Sequence, residues 1–177
     1  MHHKPDQGEM INAILEDLYD DSLLNSVYAK FQEDRVQEGM NELFLGLQSR
    51  RLNSSDQEWK SFVTLCLHHP LKDLLHQDPI TWRAFTKPRG YAGDAVLLDF
   101  FYGREERWPM PEGTTEWGRK IFDFVVNAPA CEGVRARRGK MADLIDQLAD
   151  EVDHPHLLSI GAGHLREANL SAAVKRK

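Results

Sequence analysis

HLLSIGAGHLREANLSAAV, residues 156–174, decides how the fold of this chain is read. Leu157, Leu158 and Ile160 make a short apolar run that reads as a buried strand. Gly161 and Gly163 follow as a tight turn in which no Cβ keeps a ligand from the backbone. A helical pattern begins near His164. Strand, GxG turn and helix together form the unit with which α/β proteins offer backbone N–H groups to an anionic or nucleotide-like ligand. A plain strand-to-helix turn without a ligand has the same local pattern. A dinucleotide fingerprint places a third glycine where Arg166 stands, and its ribose-binding acid would fall beyond Lys177, so the pattern disfavours a nicotinamide cofactor.

Upstream, apolar residues recur at helical spacing. Ile11, Leu15 and Leu18 share one face, and Leu23, Leu24, Val27, Tyr28 and Phe31 continue it. Val36, Met40, Leu43, Phe44 and Leu47 form a further stripe. Ser55 and Glu58 make a capping box ahead of Trp59, Phe62, Val63, Cys66 and Leu67. Pro70 starts a short helix. Asp78 and Pro79 read as an N-cap with proline at the first helical position, and that helix should end before Pro88. KPRGYAGDAVLLDFFYG, residues 87–103, reads as a two-glycine loop followed by an apolar helix with Gly103 as its stop. Thr114 or Thr115 caps the next helix, and a last long one runs from about Cys131 to Val152.

The expected fold is therefore mainly α: a flexible N-terminus (1–8), a helical domain (9–113), and the first βα unit of a Rossmann-like α/β domain (114–177).

The chain has 177 residues, a net charge of −6 and 41% hydrophobic residues. It can bury a core, and its acidity argues against nucleic acid as a partner. No run reaches the roughly 20 apolar residues of a membrane span. The start, MHHKPDQGEM, lacks the apolar stretch of a signal peptide, so a cytoplasmic protein is expected. Cys66 and Cys131 match no metal spacing and read as free thiols. His68, His69 and His76 do not share a helix face, so no metal is expected. Trp59, Trp82, Trp108 and Trp117 are expected to pack within the protein.

LLSIGAGHLREA resembles the first motif of class I S-adenosylmethionine-dependent methyltransferases. Together with residues 69–103 (HPLKDLLHQDPITWRAFTKPRGYAGDAVLLDFFYG) and 129–145 (PACEGVRARRGKMADLI), it is similar to bacterial extracellular-factor (3-hydroxypalmitic acid methyl ester) biosynthesis proteins. Ser159 stands where an acid is common in that motif, and Leu165 where a third glycine is. The resemblance implies a seven-stranded sheet of which this chain holds only the opening, and an incomplete pocket. It implies S-adenosylmethionine as cofactor and methyl transfer to a small molecule such as a fatty-acid carboxylate.

By resemblance Gly161, Ala162 and Gly163 are the cofactor loop. In the loop RGYAGD, Arg89 offers a planar fork for a carboxylate and Tyr91 a ring and a hydroxyl. Gly90 and Gly93 let the loop close over cofactor or substrate. Asp94 either accepts from an ammonium group or caps the next helix. Arg135 and Arg138 share a helix face, and Arg138 is a candidate for the cofactor's carboxylate; a solvated basic face is the alternative. No catalytic base stands out. The competing expectation is a non-catalytic, shortened or vestigial chain that serves as a helical interaction module.

Overall fold

The chain's capping signals translate directly into helix starts in the computed structural model, which describes residues 21–106 and 110–176. The stripe Ile11, Leu15, Leu18, the residues 1–8 expected to be flexible and Trp108 lie outside the described residues. The chain forms two compact units, one ending at His76 and one starting at Gln77. The helices between 77 and 106, assigned from sequence to the N-terminal domain, pack with the helices that follow them.

The first unit holds α1 (Ser22–Gln32), α2 (Val36–Asn53), α3 (Asp56–His68) and α4 (Leu71–Leu75). Asp34, at φ +60°, turns the chain between α1 and α2. Leu24, Val27 and Phe31 of α1 and Val36, Met40 and Leu43 of α2 are buried at period three and four. Gly39 of α2 lets the Phe31 ring approach its backbone; a Cβ there would stand 2.8 Å from two ring carbons. The capping box forms as read: Glu58 N–H donates to Ser55 Oγ, and the Glu58 carboxylate accepts from Ser55 N–H at 2.6 Å. Arg50 lies over the Phe62 ring at 4.2 Å.

The second unit holds α5 (Pro79–Thr86), α6 (Ala95–Glu106), α7 (Glu116–Val126), α8 (Pro129–Glu151), a 3₁₀ turn (Arg166–Asn169) and α9 (Ala172–Lys175). Ile80, Leu97 and Val126 bring α5, α6 and α7 into one core, with Phe100, Phe101 and Phe122 around them. Gly118 lets α7 pass against the Gln77 carbonyl, where no Cβ fits. Thr115, not Thr114, caps α7. Asp78 caps α5 by accepting from Ile80 N–H, Thr81 N–H and the Thr81 hydroxyl, with its side chain fully buried. Asp78→Ala should therefore cost about 2 kcal/mol, the upper end for a lost N-cap, measured by urea unfolding. A loss below about 0.5 kcal/mol would show that water replaces the cap.

Three expectations are corrected. The first concerns the opening strand of the βα unit. Among the described residues there is no strand. Leu157, Leu158 and Ile160 are 54%, 86% and 88% exposed. An isolated extended segment has no ladder to satisfy its N–H and C=O groups, and no second strand is present among those residues to supply one. The helix expected near His164 is likewise replaced by the 3₁₀ turn and the four-residue α9. Second, Gly103 does not stop α6, which continues to Glu106; a glycine inside a helix is a modest cost that packing overrides. Third, Trp82 is half exposed rather than packed away. No helix among the described residues is long and apolar enough to cross a membrane.

Candidate functional site

Helix α6 organises the candidate site, because both glycine segments meet at its first two turns. RGYAGD leads into it, and Asp94 caps it by accepting from Leu97 N–H at 2.9 Å. Its carboxylate is buried and takes a two-point contact from Arg83 of α5: Nε to Oδ1 at 2.8 Å and Nη2 to Oδ2 at 2.6 Å. The Arg83 fork holds the Asp94 carboxyl far below the usual carboxylate range, and the Leu97 N–H adds to this against the effect of desolvation. Of the two roles open to Asp94 from sequence, the cap is the one formed, and Arg83 occupies the carboxylate besides.

Arg89 lies 3.9 Å from Asp94, and about half of its side chain is exposed. Tyr91 is 56% exposed. Gly90 adopts φ +86° and donates its N–H to the Lys87 carbonyl at 2.7 Å. Neither Gly90 nor Gly93 has anything within 4 Å of a Cβ position, so the loop's outer side is open.

The second glycine segment arrives from 70 residues further along the chain. Gly161 and Gly163 adopt φ +68° and +60°, conformations that glycine alone enters without strain. A Cβ at Gly163 would touch Ala95 and Leu98 of α6 at 3.6 Å, whereas at Gly161 it would meet nothing. The turn therefore lies with one glycine on α6 and the other free. Among the described residues, the N–H groups of Gly161, Ala162, Gly163 and His164 donate to no protein acceptor. Four successive unspent backbone donors around an open glycine suit a ligand that carries anionic or polar groups. The helix N-terminus expected to reinforce them is not formed.

Sequence reading missed what fixes this turn. Asp99 of α6 is 5% exposed. It accepts from His164 Nδ1 at 2.7 Å and from Arg166 Nε and Nη2 at 2.7 and 2.8 Å. An ionised carboxylate only accepts, so His164 Nδ1 carries the proton. Burial pushes the Asp99 carboxyl up, but the Arg166 and His164 hydrogen bonds outweigh it and leave the group below its ordinary value. Beyond the turn, Asp146 of α8 accepts from the Ser171 hydroxyl and from Ala172 and Ala173 N–H, which fastens α9 to α8. An acid inside the apolar run AVLLDFFYG was the one visible sign of Asp99.

The arginines of α8 separate as the spacing implied: Arg135 and Arg138 are buried and Arg137 is exposed. Arg135 donates to the carbonyls of Phe101 and Val126 at 3.0 and 2.9 Å, so it ties the end of α7 to α6. Arg138 stacks over the Tyr102 ring at 4.6 Å, on the same helix as Asp99. This is not a solvated basic face. Cys66 and Cys131 are free, and burial raises both thiols above their ordinary values. Among the described residues no group of three or more His, Cys, Asp or Glu side chains is arranged for a metal ion. Comparison with protein-family models, with curated proteins and with solved structures finds no significant match to this chain.

Proposed function

We propose that this chain carries the cofactor loop of an S-adenosylmethionine-dependent methyltransferase acting on a small-molecule acceptor, with a fatty-acid carboxylate as the acceptor class. The observation that supports this reading is the approach of Gly163 to α6, so near that a Cβ on it would touch Ala95 and Leu98. Through it, two segments that the family resemblance singles out, GAG and RGYAGD, flank the start of one helix.

When bound, the cofactor supplies an electrophilic methyl group. The chain's own groups bind and orient. The free N–H groups of residues 161–164 receive the polar end of the cofactor, and the half-exposed Arg89 fork receives a carboxylate. An ionised carboxylate acceptor needs no proton removed, so positioning supplies the rate and no base is required in this reading.

Calorimetric titration of the chain with S-adenosylmethionine tests it. A loop that is only part of a pocket should bind weakly, with Kd of about 0.1–1 mM, and absence of binding at about 10 mM cofactor would overturn the reading. Arg89→Ala should weaken that binding about tenfold. Its thermal stability should stay within about 0.5 kcal/mol, because the Asp94 carboxylate keeps its closer Arg83 fork and Arg89 is half exposed and 3.9 Å away. An unchanged affinity would return Arg89 to the surface. A second reading, a non-catalytic interaction module, is favoured by the exposed apolar side chains of Leu157, Leu158 and Ile160. It predicts no cofactor binding.

A further inference from the structure

We propose that Asp99 is the positioning residue of the glycine turn: its buried carboxylate latches His164 and Arg166 and thereby holds Gly161–Gly163 on helix α6 in ligand-ready form. The inference rests on the cofactor-loop reading above and adds to it the group that makes the loop rigid.

The need for a latch follows from the backbone. Gly161, Gly163 and Leu165 are all left-handed within five residues. Glycine has the most conformational freedom to lose, and a left-handed leucine is strained. On the N-terminal side lies an exposed segment without regular structure, and on the C-terminal side a single 3₁₀ turn, so regular structure restrains neither end. Within the turn, the one backbone hydrogen bond is from Leu165 N–H to the Ala162 carbonyl at 2.9 Å. Gly163 approaches α6 with no Cβ of its own to pack there.

Asp99 supplies what is missing. It sits one helical turn past Ala95, on the helix that Gly163 touches. It gathers three charge-assisted hydrogen bonds from the residue directly after the second glycine and from the residue two further on. The arginine fork adds orientation as well as attraction, because both its contacts must be in plane with the carboxylate. A loop held this way loses little further freedom on binding, and that preorganisation appears directly as affinity.

The experiment combines amide exchange of the Leu165 N–H, the hydrogen-bonded donor of the turn, in the free chain with S-adenosylmethionine calorimetry. The unsubstituted chain is compared with Asp99→Asn, Arg166→Gln, Arg166→Lys and the double variant Asp99→Asn/Arg166→Gln. Asp146→Asn serves as a control that loosens α9 instead of the turn. In Asp99→Asn, exchange should rise and cofactor affinity fall, each about tenfold. The double variant should be no weaker than either single one, because all of them break one latch. Arg166→Lys should regain part of the affinity lost in Arg166→Gln. Asp146→Asn should stay within about twofold of the unsubstituted chain. If Asp99→Asn does not fold, by circular dichroism, the two Arg166 variants carry the comparison. Unchanged affinity in the latch variants, with binding by the unsubstituted chain, overturns the latch and leaves the cofactor reading standing. An equal loss in Asp146→Asn reduces Asp99 to a general stabiliser and also overturns it. No binding by the unsubstituted chain overturns the cofactor reading, and the latch falls with it.

Discussion

Phe31→Ala is expected to remove about 3–5 kcal/mol from the stability of the first helical unit, measured as a lowered urea midpoint at unchanged slope. Phe31 closes α1, is completely buried, and lies against Gly39 of α2. Two hydrogen bonds bind the turn that follows it: Asp34 N–H to the Phe31 carbonyl at 2.9 Å, and Arg35 N–H to the Lys30 carbonyl at 2.8 Å. The backbone on one side of the ring is thus fixed, and on the other side it is a glycine with no side chain to move inward. Val36 and Met40 are themselves buried and engaged. The void left by alanine therefore has little that can collapse into it, which puts the cost at the upper part of the range for large-to-small changes. Gly39→Ala attacks the same contact from the other side and should cost about 1–3 kcal/mol by overpacking. A loss below about 1 kcal/mol for Phe31→Ala would mean that α1 and α2 repack freely, and the close approach at Gly39 would have no energetic weight.

The parts of this molecule that were legible in its sequence are those whose cause is local. Ser55 with Glu58, Asp78 with Pro79, and Thr115 each satisfy backbone donors within four residues, so pattern alone placed the helices they begin. The shared face of Arg135 and Arg138, with Arg137 on another, follows from helical periodicity in the same way; that this face is the buried one does not. The strand at Leu157–Ile160 failed for the opposite reason. An apolar run becomes a strand only when another strand pairs with it, and periodicity carries no information about a partner. Asp99 shows the same limit at the candidate site. Its partners lie 65 and 67 residues away. Arg166 was noticed only as the residue standing where a dinucleotide fingerprint has glycine. A single acid among Leu97, Leu98, Phe100 and Phe101 is nonetheless a usable signal, because a carboxylate in such a run must find a cation to be buried. A meeting of the two glycine segments follows from sequence only if RGYAGD closes over the ligand of the GAG turn. The way it is made, through Gly163 on Ala95 and Leu98, depends on packing that no local motif encodes.

Asp94→Ala is expected to be the most damaging single change in the second unit, and its effect should depend on pH. The substitution removes the cap of α6 and at the same time leaves the partly buried Arg83 fork without its carboxylate. Asp94→Asn keeps an oxygen for the Leu97 N–H but not the charge, so it should fall between alanine and the unsubstituted chain. Because the folded state holds the Asp94 carboxyl below its unfolded value, the ionised group contributes stability that is fully present above the ordinary carboxylate range. That contribution is lost as pH falls through the folded value. The stability gap between the unsubstituted chain and either variant should therefore be widest near pH 7 and should narrow steadily below about pH 4. Urea midpoints measured from pH 7 to pH 3 check this, and curves that stay parallel into acid would show that the Arg83 pair contributes nothing through charge. The consequence for binding follows from the same geometry. Gly163 lies close to Ala95 and Leu98, and these belong to the turn that Asp94 caps. When that turn frays, the glycine turn loses its seat even with the Asp99 latch intact. S-adenosylmethionine affinity in Asp94→Ala should drop more than about tenfold, further than in Arg89→Ala, which leaves α6 untouched. If Asp94→Ala bound the cofactor as well as the unsubstituted chain while melting earlier, the start of α6 would be a support for the fold and not for the site.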